Sequence, residues 1–305
     1  MNQDSTNRTT RSFRNDPLVS GYLMGGLGNQ LFQIFNTMAY GLKYKRKILF
    51  PYSDKLETGI TRPTYWESFL TSLKPFTTEA HIDYHDYSMT GFPTFCEQGF
   101  RYKEIPDFAQ HRELLLFGYF QSYKYFESQK ATLFKLIGIE KQQETVEYLY
   151  PQYIGKELGN HIISMHFRLG DYKNIQDCHP LMPVEYYRNA LIHVLSNRNQ
   201  VFYTVLYFCE KDDIGDVLVI IEQLRREFEN VDFVHVDETI PDWQQMLMMS
   251  CCNDNIIANS SFSWWGAYFN LSNTKIVCYP SQWFGSKLSH DTSDMCPSEW
   301  KRIFF

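Results

Sequence analysis

Residues 160–172 read Asn-His-Ile-Ile-Ser-Met-His-Phe-Arg-Leu-Gly-Asp-Tyr, an apolar run that ends at a charged turn containing glycine. His161 to His166 reads as a strand. Downstream the alternation repeats. Pro183 to Ser196 reads as a helix with Pro near its start, Val201 to Phe208 as a buried strand and Ile214 to Phe228 as a helix. Asp232 to Val236, Asn255 to Ala258 and Lys275 to Tyr279 follow as strands, separated by helices over Trp243 to Ser250 and Phe262 to Phe269. Strands separated by helices predict a parallel, doubly wound sheet of the α/β class.

Upstream, Leu18 to Leu23 reads as a strand and Gly25-Gly26-Leu27-Gly28-Asn29 as a turn. Gln30 to Lys45 then spaces Leu31, Ile34, Phe35, Met38 and Leu42 as a helix does. Ile48 to Phe50 is a second strand, stopped by Pro51. Leu114 to Phe117 predicts a strand and Tyr123 to Ile137 a helix. Between residues 53 and 110, Pro, Gly, Thr and aromatics alternate, and only short elements are expected. Near residues 140–160, Gln, Glu and Gly break the pattern. Three parts follow: a disordered tail over residues 1–17, an amino-terminal lobe over 18–155 and a carboxyl-terminal lobe over 156–305. Two such α/β halves enclose a cleft, and ligands of open parallel sheets sit at the carboxyl ends of the strands.

Composition narrows the function. In 305 residues, 44% apolar and 21% charged side chains suffice for a full globular core. Nucleic-acid binding would want a basic face, and none stands out in a chain of net charge −6, so no nucleic-acid partner is expected. A small anionic ligand needs only a local positive pocket. The 21 Tyr, 24 Phe and 6 Trp serve equally to build an aromatic core or to stack on sugars and bases. The seven Cys include no CxxC pair; Cys209, Cys251, Cys252 and Cys278 lie in or beside apolar runs and read as small buried residues of a reducing compartment. The nine His lack ligand spacing, so no zinc site is expected. No stretch approaches the ~18 apolar residues that span a bilayer, and the amino terminus lacks the apolar core of a signal peptide. A soluble, cytoplasmic protein without a membrane span is expected.

Four segments could carry chemistry. Gly25 to Gln30 combines backbone freedom with a helix start, whose unpaired N–H groups suit an anion or a sugar hydroxyl; its glycines do not fit the dinucleotide spacing, and a tight turn is the plainer reading. His166 to Tyr172 follows a strand directly. Arg168 could fork onto a diphosphate and Asp171 could orient it, or the two could form a strand-end salt bridge. Asn259-Ser260-Ser261-Phe262-Ser263 sits at a strand-to-helix junction, where hydroxyls cap the helix or bind phosphate oxygens. Cys209-Glu210-Lys211-Asp212-Asp213 offers acidic acceptors for a base or ribose, or a solvated charged turn.

Together these segments resemble the α-1,2-fucosyltransferases, inverting GDP-fucose-dependent glycosyltransferases of the family 11 type. The likeness rests on GGLGNQLFQIFNTMAYGLKYKRKILFP, FGYFQSYKYF, HFRLGDY, MLMMSCCNDNIIANSSFSWWGAYF and YPSQWFG, spread from residue 25 to 285. It implies a GT-B-like fold of two Rossmann-like lobes, with GDP-fucose on the second lobe and the first helping to form the acceptor cleft. By the same likeness Arg168 would hold the β-phosphate, Ser261 and Ser263 would help the diphosphate, and His166 would border the nucleotide. Asn29 and Gln30 would face the reaction centre. Gly26, Gly28, Asn259 and Ser260 join the donor-binding set, with Glu210 or Asp212 for guanine. No metal is expected, and a galactose-containing oligosaccharide would accept the fucose on its 2-hydroxyl. The chain departs from the family pattern at three places. Leu169 replaces a second Arg, the turn after Phe208 is Cys-Glu-Lys-Asp-Asp, and Asp254 adds negative charge near the donor lobe.

Fixed donors at Arg168 and Ser261 to Ser263 would stabilise charge on the leaving diphosphate. Asp171 and His166 are the candidate bases, between which the residues do not choose. Another nucleotide sugar, or glycan binding without turnover, is the alternative.

Overall fold

The computed structural model describes residues 16–81, 89–155 and 159–305. The tail expected to be disordered lies, except for Asp16 and Pro17, outside the described residues.

Two parallel sheets organise the chain. In the first, β1 (Leu18–Gly21) lies between β2 (Lys47–Ile48) and β6 (Glu113–Phe117), and β5 (Thr94–Cys96) pairs outside β6. A short antiparallel ribbon, β3 (Lys55–Leu56) with β4 (Arg62–Pro63), interrupts the connection. The second sheet contains β7 (His161–His166), β8 (Tyr203–Phe208), β9 (Val231–His235), β10 (Asp254–Ile256), β11 (Val277–Pro280) and β12 (Lys301–Ile303). Its order is β12-β11-β10-β7-β8-β9, every pair parallel. The chain winds outward from β7 to β9, returns to β10 and winds outward again, so the direction reverses between β7 and β10. The first sheet, β2-β1-β6-β5, reverses between β1 and β6. These are two Rossmann-like lobes in a GT-B-like α/β fold.

Side-chain alternation explains the layers. On β7, Ile163 and Met165 join a core with Tyr186, Leu191 and Val194 of α5 (Val184–Ser196) and Val217, Ile221 and Leu224 of α6 (Ile214–Glu227). Ile162, of opposite parity, joins a second core with Met246 to Met249 of α7 (Asp242–Ser250) and Trp264 and Trp265 of α8 (Ser261–Tyr268). That second core also contains the first sheet and its helix α1 (Leu27–Lys43). Phe32 meets Trp264 at 4.5 Å between ring centroids, Phe35 meets Trp265 at 4.6 Å, and Trp265 Nε1 donates to the Gly28 carbonyl at 2.9 Å. A Cβ at position 28 would lie 2.5 Å from the Ser261 carbonyl carbon and 2.6 Å from Phe262 N, so glycine is what lets α1 seat on the start of α8.

The structure corrects several sequence expectations. The first helix begins at Leu27, so Gly28 lies inside its first turn, and Leu42 is exposed. Tyr123 to Ile137 is not one helix. Two 3₁₀ turns, Tyr123–Tyr125 and Glu127–Gln129, precede α2 (Lys130–Ile137). Residues 139–154 form α3 (Ile139–Leu149) and α4 (Pro151–Ile154), which bury only Ile139, Val146 and Ile154. Gln143 Nε2 donates across to Ser250 Oγ at 2.8 Å and the Phe269 carbonyl at 3.0 Å, so α3 packs on the second lobe. No cysteine is disulfide-bonded; Cys209, Cys252 and Cys278 are buried, and Cys251 only partly. Among the described residues no helix is long and apolar enough to cross a membrane.

Asp254 is not an uncompensated charge facing the donor. It sits fully buried at the amino end of β10, accepting from Arg198 Nε at 2.8 Å and Ile276 N at 2.6 Å, with His161 Nε2 at 2.6 Å. The reversal crevice lies at the other end of the strands.

Candidate active site

A reversal of strand order leaves a crevice at the carboxyl ends of the two strands that flank it. In the second sheet these strands deliver Arg168, two residues past β7, and Ser260 and Ser261, past β10. In the first sheet they deliver the turn before Asn29 and the turn before Gln121. The two crevices meet at one side chain. Asn29 Oδ1 accepts from Gln121 Nε2 and from Ser261 Oγ, each at 2.7 Å. Both acceptor lone pairs are thereby used, and the side-chain NH2 of Asn29 has no partner among the described residues.

The serine cluster divides its labour. Ser260 caps α8, its hydroxyl accepting from Phe262 N at 3.3 Å. Ser261 reaches Asn29. Ser263 is fully buried, its hydroxyl directed to the Ser260 carbonyl at 3.4 Å, so it braces the helix start from behind. The backbone N–H groups of Ser261 and Ser263 have no intrahelical acceptor and give the start of α8 its affinity for an anion. Asn259, 1% exposed, spends its amide on the Pro180 and Trp283 carbonyls at 2.9 and 3.1 Å.

Arg168 is held by carboxylates on both arms of its fork, Asp171 and Glu210, with its guanidinium 5.0 Å from the centre of the Tyr172 ring. The salt bridge weighed from sequence is present, and Glu210 shares it. Asp212 is exposed on the following turn. Its neighbour Asp213, read from sequence only as part of the same charged turn, is 2% exposed, accepts Gly170 N at 2.7 Å and pairs with Lys173 at 2.7 Å. It anchors the turn that carries Asp171. Its signal was position alone, directly before an amphipathic helix.

Of the first-lobe candidates, Gln30 is 1% exposed and spends Nε2 on the Gly25 and Pro63 carbonyls, both at 2.9 Å, fixing the glycine turn. Gly28 is buried against α8, and Gly26 has open space beside it. A cavity of about 740 Å³ opens next to the end of β1, lined by Tyr22, Lys55, Glu57, Thr58, Phe92 and Leu115. Its wall mixes an aromatic ring, hydroxyls and an ion pair, Lys55 to Glu57 at 3.1 Å.

His166 is 8% exposed, tilted against Phe262 at 5.5 Å, and its Nδ1 has no hydrogen-bond partner among the described residues. Burial, with the Arg168 charge second, holds its pKa down to about 3 from 6.5. The fold therefore loses stability as pH falls from 6.5 towards 3, because the unfolded chain takes up the proton first, at about 1.4 kcal/mol per pH unit. Urea unfolding midpoints of wild type and His166→Gln measured across this range should converge at acid pH; parallel curves would refute the assignment.

Anion-ready helix and strand ends, gathered where two Rossmann-like lobes meet, define a glycosyltransferase of the GT-B-like kind. The chain belongs to glycosyl transferase family 11, which matches residues 76–303. It is similar to the alpha-1,2-colitosyltransferase of Escherichia coli, 27% identical over 311 residues that cover 94% of this chain and 99% of that one. It is also similar to the Escherichia coli O-antigen biosynthesis glycosyltransferase WbnK, 29% identical over 187 residues, 58% of this chain and 59% of that one. A family 9 glycosyl transferase from Veillonella parvula is a distant structural likeness, with TM-score 0.48 and 10% identity over 95% of this chain and 85% of that one.

Proposed function

We propose that the protein transfers L-fucose from GDP-fucose, with inversion, to the 2-hydroxyl of a galactose-type acceptor, without a metal. The observation that carries this reading is the junction at Asn29, which ties the donor-side helix start at Ser261 to the first lobe. In this reading the diphosphate takes the place of one carboxylate on Arg168 and lies against the start of α8. The acceptor hydroxyl attacks the anomeric carbon from the opposite face as the bond to the β-phosphate oxygen breaks, and GDP leaves with the electron pair. Charge growing on the leaving oxygen meets a fixed guanidinium and fixed N–H groups, which supports a reaction needing no ion. The proton goes to Asp171, whose carboxylate is half exposed beside Arg168; burial makes His166 too weak a base. The Asn29 side-chain NH2 donates to the transferred sugar, and the cavity at Tyr22 receives the acceptor.

The name of the Escherichia coli relative favours a second donor, GDP-colitose, a sugar that lacks the 3-hydroxyl of fucose. The test is GDP release with EDTA present, from GDP-fucose and GDP-colitose in parallel, over galactose-terminated oligosaccharides and a blank without acceptor. Acceptor-dependent release from GDP-fucose is expected. Release from GDP-colitose alone would move the assignment to that donor.

A further inference from the structure

At the carboxyl end of β5, outside every motif considered above, Glu97 turns its carboxyl into the protein. Oε2 accepts the backbone N–H groups of Tyr119 and Phe120, both at 2.9 Å. Oε1 is buried without a well-formed hydrogen bond. Gly118 makes the approach feasible, since a Cβ there would lie 2.4 Å from that of Glu97. Phe120 has φ of 51°, in the left-handed region that bulky residues avoid. Such backbone persists only where its surroundings over-determine it. The next residue is Gln121, whose Nε2 reaches Asn29 Oδ1.

We infer that Glu97 is a positioning residue for glycosyl transfer. By clamping the Tyr119 and Phe120 N–H groups, it fixes the turn that presents Gln121 to Asn29, and through Asn29 it registers the first lobe on the start of α8. The inference rests on the reading of Asn29 and Ser261 as the donor-facing centre. Burial pushes the Glu97 carboxyl up to about 7, although the two N–H bonds and the Tyr125 hydroxyl pull it back. Tyr125 is the only titratable side chain acting on it among the described residues.

The experiment compares wild type, Glu97→Ala, Glu97→Gln and Gln121→Ala by transfer kinetics, GDP affinity and amide hydrogen exchange over residues 118–122. Glu97→Ala is expected to lower kcat by ~10- to 100-fold, the effect of misplacing a reacting group by about an ångström, with GDP affinity unchanged and exchange accelerated. Glu97→Gln keeps an acceptor oxygen and should stay close to wild type. Gln121→Ala, which leaves the clamp intact, should lose kcat like Glu97→Ala, and it decides the matter if that variant does not fold. Unchanged exchange in Glu97→Ala would overturn the inference. So would a Glu97→Gln as slow as Glu97→Ala, since the amide keeps the acceptor oxygen on which the clamp depends. If wild type transfers neither fucose nor colitose, the donor reading has failed and takes the positioning role with it, while the exchange comparison, which needs no donor, still decides whether Glu97 holds the turn.

Discussion

Arg168→Ala should lower kcat on the order of a hundred- to a thousandfold, the usual cost of losing one fixed donor to a developing negative charge. Two effects act together. In the proposed reaction the guanidinium, at the end of β7, takes the leaving diphosphate. Its removal also frees Asp171 and Glu210, which now neutralise it, to face an anionic donor unpaired. Arg168→Lys restores the charge without the fork and should recover only part of the rate. Single-turnover kinetics with saturating donor, beside circular dichroism of each variant, separates this from misfolding. Near-normal turnover of Arg168→Ala would sink the assignment of the site.

The second large effect is on stability. Arg198→Ala should destabilise the fold by about 3 kcal/mol, since it leaves a fully buried carboxylate without its main partner. Burial alone would raise the Asp254 pKa, but hydrogen bonds from Arg198, His161 and Ile276 N outweigh it and hold the carboxyl below its ordinary range. That depression makes its contribution complete above pH 3.8 and lost as pH falls through the lower folded value. A drop of roughly 5 °C in Tm is expected near neutral pH. Adding Asp254→Asn to Arg198→Ala removes the stranded charge and should return part of the loss. At 25 °C the folded variant should transfer sugar at an ordinary rate, because the pair lies at the amino edge of the sheet. A Tm within a degree of wild type would show the pair to be dispensable.

Much of the second sheet was legible because β7, β8 and β9 run into charged turns and α5 and α6 are long enough to show their period. β12 and β5 were not, being three residues each and held by a neighbouring strand more than by pattern. Helix α3 reads as a break because most of its surface is wet. The region between residues 53 and 110 is fixed by contacts distant in sequence, such as Gln30 to Pro63, which no local window contains. The site divides along the same line. Arg168, Asn29 and Ser261 stand out as polar residues at predicted strand ends, and the structure brings them to the two reversals. Gln121, Asp213 and Glu97 do not stand out, because each acts on a backbone or side chain many residues away. The Ser263 hydroxyl and the Gln30 and Asn259 side-chain amide nitrogens bond to backbone carbonyls of the protein, partners that no local window shows.

The aromatic weld of Phe32 and Phe35 to Trp264 and Trp265 bears on how such enzymes can diversify. A recombinant that takes its donor half from one relative and its acceptor half from another would have to match four large rings, a glycine and an indole hydrogen bond across the splice. Halves exchanged near residue 155 should therefore yield insoluble protein unless the two parents match on both faces of α1, the one on α8 and the one on the first sheet. If the cavity at Tyr22 receives the acceptor as proposed, new acceptor preferences are then expected to arise by substitution in the wall around Tyr22 and Lys55, within one inherited frame, and not by shuffling of lobes.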